Sequence, residues 1–323
     1  MGIFDKRVAF KPFEYPDIME FKDAIRHSYW VHTEFNFQAD IHDFRTLDDV
    51  EKHIIKNTLL AISQIEISVK KFWTKLGDRF PKAEFDQIGV TFGESEVRHA
   101  DAYSHLLEIL DLNNDFEILL QNDVIQGRVD YLTKYLRGAS DNADENYTLA
   151  LTLFSIFIEN VSLFSQFLII KAFNKHRNIL KDIDNVVQAT QQEETLHATF
   201  GVALIQLIKN EYPEWFNEDF YNKLRRACQK AYDAEIRIID WIFENGELDF
   251  LPKEHVYEFT KDRFNVSLEM IGIDGIFDTD PEILKQMSWF TDEIHSDVNT
   301  DFFHKKPTSY SKKIQSITDT DLF

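Results

Sequence analysis

Apolar side chains recur at alternating steps of three and four along four long stretches of this chain. The first stretch carries Leu59, Ile62, Glu66, Val69 and Trp73, and the second Phe92, Glu96, His99, Tyr103, Leu106 and Leu110. The third carries Thr152, Ile156, Glu159, Leu163, Gln166 and Ile170, and the fourth Val187, Thr190, Glu194, His197, Gly201, Leu204 and Ile208. This is the rhythm of the inward face of a packed α-helix. Every stripe has a Glu near its centre, and two also have a His.

Breakers and caps bound the elements. Pro12 and Pro16 keep the start irregular, Asp17 can cap a short helix to about residue 28, and 29–35 reads as a loop. Acidic residues at 48, 49 and 51 suit the first turn of a helix running to about residue 76. Further helices are predicted over about 83–112, 116–137, 145–173, 179–209, 217–243, 253–270 and 281–290. A loop is expected at 138–142 and a break at Pro213. The expected fold class is all-α, with residues 1–304 as one helical domain and 305–323 as a polar, flexible tail.

Composition agrees with a helical, globular chain: 323 residues, 44% hydrophobic, with only ten Gly and seven Pro. The net charge of −21 disfavours nucleic acid and anionic membranes as partners. Charged and polar residues interrupt the longest apolar region, 149–172, so no clean membrane span is expected. A single cysteine, Cys228, excludes an internal disulfide and a cysteine-ligated cluster. It suits a reducing compartment, and with no signal-peptide run at the start the expected location is cytoplasmic.

Two short stretches change the picture, Glu96-Val97-Arg98-His99 and Glu194-Thr195-Leu196-His197. Positions three apart share a helix face, so each pair can present two ligands in one direction. Either alone is close to chance, and any one Glu on such a stripe is as easily a partly exposed acid. Four striped carboxylates are harder to dismiss, because each would be costly in an apolar interior unless paired or coordinated. Two divalent ions balance Glu66, Glu96, Glu159 and Glu194, with His99 and His197 neutral. This is the donor set of ferritin-like carboxylate bundles, and oxygen donors with imidazole suit iron or manganese.

With these residues in place, the sequence resembles the small, radical-generating subunit of class I ribonucleotide reductase along essentially its whole length. Tyr103 follows His99 by four residues, like the family's radical tyrosine, and Leu163 and Phe167 follow Glu159 like residues beside its pocket. Tyr29-Trp30 with Glu34 is similar to the segment whose Trp relays an electron. Arg263-Phe264-Asn265 and Met270-Ile271-Gly272 resemble the family's late helix. Tyr310 is placed like the tail tyrosine, and 319–323 like the anchor that docks on the large subunit.

The resemblance implies a ferritin-like bundle, a homodimer, and a dinuclear centre on Glu66, Glu96, His99, Glu159, Glu194 and His197. The centre, activated by an oxygen species, stores an oxidising equivalent. It passes that equivalent through Trp30 and Tyr310 to a cysteine of a separate catalytic subunit. One cysteine cannot supply the three that ribonucleotide reduction needs, and no P-loop or dinucleotide fingerprint is present. Glu66 stands where most of the family has Asp, which resembles the manganese-using subgroups. Together with Tyr103 it favours a dimanganese centre (class Id) over manganese–iron or diiron. Glu193 replaces the usual Asp before the ligand Glu and must reach His99 with one more methylene. The alternatives are a stand-alone dimetal oxidase or desaturase and, outside enzymes, a ferritin-like iron store.

Overall fold

The computed structural model describes residues 2–69, 71–119, 121–138 and 143–302. In chain order its helices are α1 (Met19–His27), α2 (Gln38–Thr46), α3 (Asp49–Val69), α4 (Leu76–Arg79), α5 (Ala83–Ile109), α6 (Asn113–Leu119) and α7 (Asp123–Gly138). Then come α8 (Asp144–Leu153), a π-helical segment (Phe154–Ser162), α9 (Phe164–Arg177), α10 (Lys181–Glu211), α11 (Glu218–Ile242), α12 (Lys253–Glu269), α13 (Pro281–Gln286) and α14 (Ser288–Phe302). No strand occurs among the described residues, so the all-α expectation holds.

The four striped stretches meet. Helix α3 packs on α5 and α9, and α10 packs on α5, α9 and the π segment. Leu59, Ile62, Phe92, Leu106, Phe157, Phe167, Val187 and Leu204 are buried between them. Helices α7, α11 and α12 close one side, α12 lying against the π segment.

Three predicted elements differ. The first long helix stops at Val69, not near residue 76, and Trp73 sits in a separate 3₁₀ turn, Trp73–Lys75. That turn lies hard against α5, where a Cβ on Gly89 would come 2.5 Å from the Trp73 carbonyl oxygen. The predicted helix over 116–137 is two helices, α6 and α7. The helix predicted over 145–173 is one helical run, but its α-ladder is replaced by π geometry around Glu159. This run, Asp144–Arg177, is long and apolar enough to cross a membrane, yet its apolar window is wholly buried. Here it is a core helix.

Helix α2 was not expected. Phe37, Ile41 and Phe44 repeat at steps of four and three, and the helix has a clear task. Helix α10 begins after Leu180, at φ +57, without a side-chain cap of its own. Asp40 Oδ1 instead accepts from the amides of Asp182 and Ile183 at 3.0 and 2.9 Å, and Asp43 Oδ2 accepts from Leu180 N at 3.1 Å. These carboxylates stabilise the N-terminus of α10 from another element. Helix α14 continues beyond the predicted short 281–290 helix. The expected tail boundary at 304/305 lies outside the described residues.

Candidate metal centre

Glu66 comes from α3, Glu96 and His99 from α5, Glu159 from the π segment, and Glu193, Glu194 and His197 from α10. All are essentially sealed from solvent. Their donor atoms form two groups, Glu66/Glu96/His99/Glu194 and Glu96/Glu159/Glu194/His197, within each of which the atoms lie no more than 4.8 Å apart. Glu96 and Glu194 belong to both, so each can bridge two ions. The imidazole rings are 6.3 Å apart, one at each end.

The donor chemistry fits cations. Nδ1 of His99 faces Glu194 Oε1 at 3.1 Å and Glu66 Oε2 and Glu96 Oε2 at 3.8 Å. Nδ1 of His197 faces Glu96 Oε1 at 3.1 Å, Glu159 Oε2 at 3.4 Å and Glu194 Oε2 at 3.6 Å. Both oxygens of Glu66 and of Glu96, Glu159 Oε2, Glu194 Oε1 and both Nδ1 atoms are buried without a hydrogen-bond partner. Buried acceptors turned toward one another are unfavourable unless positive charge sits among them.

Left to themselves, the groups draw in protons. Burial pushes Glu66 and Glu159 well above the usual carboxylate range, and the charge on Glu194 adds to both shifts. Burial works against charging His99 and His197, but the carboxylates around them raise both well above normal. The cluster therefore fits a dinuclear metal site, with two ions in place of those protons.

Each imidazole is aimed by its other nitrogen. Glu193 Oε2 accepts from His99 Nε2 at 2.8 Å. His197 Nε2 lies 3.0 Å from Ser95 Oγ, whose hydroxyl donates to the Phe92 carbonyl at 2.7 Å, so the ring donates to Ser95. Both Nδ1 lone pairs are thereby left for a cation. Ser95 and Glu193 each stand immediately before a shared Glu, and each holds the His of the opposite helix. Ser95 was missed by the sequence reading; its place before Glu96, matching Glu193 before Glu194, was the available signal.

Glu193 is also the junction with Trp30. Its Oε2 accepts from Trp30 Nε1 at 3.1 Å and Arg98 Nη1 at 3.1 Å, and its Oε1 accepts from Arg98 Nη2 at 2.9 Å. Burial alone would raise its pKa, but the His99 and Arg98 contacts hold it below the usual carboxylate value. The longer side chain thus does reach His99. Trp30 is buried, and its indole stacks toward His99 with centroids 6.0 Å apart.

Tyr103 is buried one turn past His99, but its hydroxyl donates to Thr190 Oγ1 at 3.3 Å. Leu163 and Phe167 are buried as expected. Trp73 does more than the apolar stripe implied, since its Nε1 donates to Glu159 Oε1 at 3.0 Å. The lone Cys228 is buried on α11, and burial pushes its thiol up to about 12, so it is no ready nucleophile. Tyr310 and the 319–323 anchor lie outside the described residues.

Known proteins are similar to this chain in sequence or in fold. The chain is 26% identical over 322 residues to a probable ribonucleoside-diphosphate reductase small subunit of Invertebrate iridescent virus 3, covering 95% of this chain and 85% of the relative. Its fold matches the ribonucleotide reductase R2 subunit from Clostridium botulinum with a TM-score of 0.79 at 17% identity, over 87% of this chain and 89% of that one. It also matches an R2-like ligand-binding oxidase with a reconstituted Mn/Fe cofactor, with a TM-score of 0.68 at 19% identity, over 80% and 93%. These matches place the bundle among ferritin-like R2 folds. The family model for the ribonucleotide reductase small chain matches residues 7–284, and the chain belongs to that family.

Proposed function

We propose that this chain is the radical-generating small subunit of a ribonucleoside-diphosphate reductase, active only with a separate large catalytic subunit. The observation that carries this reading is the buried donor cluster joined through Glu193 to Trp30. Glu66 and His99 would hold one ion, Glu159 and His197 the other, and Glu96 and Glu194 both. The bound pair, once activated by an oxygen species, supplies a one-electron oxidant.

The protein's own residues seal and connect that oxidant. The surrounding apolar side chains exclude water. Glu193 holds the N–H groups of Trp30 and His99 on the same oxygen, a short conduit for an electron toward the centre. Tyr310 and the 319–323 anchor would continue that path to a cysteine of the large subunit. We assign residues 1–304 to the ferritin-like domain and 305–323 to the docking tail, and infer a cytoplasmic homodimer that binds neither nucleic acid nor membrane.

Dimanganese is the favoured metal pair, with manganese–iron or diiron as the other fillings. Glu66 supports manganese by resemblance. The Tyr103 hydroxyl, which donates to Thr190 and not to a ligand carboxylate, supports storage of the oxidising equivalent on the metals. The test is reconstitution. The chain loaded with manganese and activated should form deoxynucleotides when its large subunit is added. Tyr103→Phe should lose less than about tenfold, or 1.4 kcal/mol of barrier. Absence of turnover with the cognate large subunit would sink the assignment. A tyrosyl radical spectrum, with activity lost in Tyr103→Phe, would move the storage site to Tyr103.

The similarity to the ligand-binding oxidase keeps one alternative in view, a stand-alone dimetal oxidase. That reading requires turnover without a partner subunit.

A further inference from the structure

Glu159 enters the metal cluster from backbone that has left the α-helical ladder. In the π segment Phe154–Ser162 the hydrogen-bond register is widened from four residues to five. Side chains from other helices donate to two of its carbonyls. Arg263 of α12 donates to the Asn160 carbonyl from Nε at 3.1 Å and Nη2 at 2.6 Å, and to Asn160 Oδ1 at 2.5 Å. Arg128 of α7 donates to the Ser162 carbonyl through Nη2 and to the Ala61 carbonyl of α3 through Nη1 at 3.1 Å. Asn160 is further tied to α12 through Nδ2 and Ser267 Oγ at 2.8 Å. The residue directly after Glu159 is thus fixed by both its main chain and its side chain.

Both guanidinium groups are buried, which is costly for a cation. Arg128 has a carboxylate partner, Glu235 Oε2 at 3.1 Å. Arg263 lies with its guanidinium carbon 4.2 Å from the Phe164 ring centroid, and burial pulls its pKa down to about 10. Both cations are aimed at the carbonyls of the one helical segment whose register departs from the α-ladder. The π geometry and the two arginines belong together, and what they place is the carboxylate of Glu159.

We propose that Arg263, with Arg128 as a second anchor, is a positioning residue for the Glu159–His197 half of the metal centre. It holds the π segment in the register that aims Glu159 at the second ion. This rests on the dimetal reading and adds a prediction that reading does not make, namely that the two half-sites depend unequally on a residue that touches neither ion.

The test uses the full chain, freed of metal and titrated with manganese(II) alone. Free and bound ion are followed by electron paramagnetic resonance, and the fold is checked by circular dichroism. Wild-type chain should take two ions and give a coupled two-ion signal. Arg263→Lys keeps the charge but cannot span the carbonyl with a planar fork. It should retain one tight ion and bind the second about tenfold or more weakly, so that single-ion signals replace the coupled one. Arg263→Met should do the same more severely; should it not fold, Arg263→Lys alone carries the test. Two equally tight ions in Arg263→Lys overturn the proposal, and so does equal weakening of both, which a purely structural role would give. Wild-type chain failing to hold two ions would instead overturn the dimetal reading.

Discussion

Glu193 takes hydrogen bonds from His99, Trp30 and Arg98 in a place closed to water. Glu193→Gln keeps the shape but turns one acceptor into a donor facing only donors. It also leaves Arg98 buried beside a neutral group, with Glu94 as its remaining charged partner among the described residues. Breaking a buried pair in this way is expected to cost about 3–5 kcal/mol, seen as a lowered melting temperature. His99 then donates to a neutral amide oxygen in place of a carboxylate, so the imidazole is a weaker ligand and manganese affinity should fall by about tenfold in a binding titration. At this scale the clustered donors themselves were legible, because Glu96/His99 and Glu194/His197 need only local helix spacing to share a face. The partners of Trp73 and Ser95 were not, since each donates or accepts across a helix–helix contact.

Two contacts between elements decide where the clustered donors stand. Helix α10 approaches the π segment at Gly201, where a Cβ would come 2.1 Å from Ser155 Oγ and 2.4 Å from Ser155 Cβ. Gly201→Ala should push the two apart, at a cost of about 1–3 kcal/mol in thermal or denaturant unfolding. Glu159 lies on the displaced segment, so bound metal should fall too. The second contact is the capping of α10 by α2. Burial raises Asp40 to about 6, while its bonds to the amides of Asp182 and Ile183 partly offset this. A carboxyl raised above its unfolded value favours the folded state while it keeps its proton. Its contribution is therefore lost as pH rises from about 4 to about 6, by about 1–2 kcal/mol after allowance for solvent screening. Asp40→Asn keeps the accepting oxygen and should flatten that part of the stability–pH curve relative to wild type. An unchanged difference between the two proteins across that range would refute this account. The capping role of α2 is invisible in the sequence because the amides it serves lie some 140 residues away.

For the whole molecule, the prediction concerns separable parts. Removing residues 314–323 should abolish deoxynucleotide formation with the large subunit. Manganese content and melting temperature should stay unchanged, because the candidate donors all fall within Glu66–His197. A stand-alone oxidase would instead keep its turnover after that deletion. The stripes themselves sufficed to show that four helical faces would be buried together, and a charge sum sufficed to suggest two cations among them. Neither could show that the run through Glu159 is not an α-helix, because a stretch buried on every side carries no polar face to mark its register.

The amino-acid sequence by itself determined the all-α class, the four striped helices and the six carboxylate and imidazole side chains that gather in one buried cluster, because these follow from periodicity and the cost of burying charge. Only the tertiary structure decided which carboxylates belong to both donor groups, that Glu193 spans Trp30 and His99, and that Trp73 reaches Glu159. It also decided that two arginines hold the π segment. The physical reason is range. Spacing along a helix sets which residues share a face, whereas a hydrogen bond between helices depends on how closely their axes approach, as at Gly89 and Gly201.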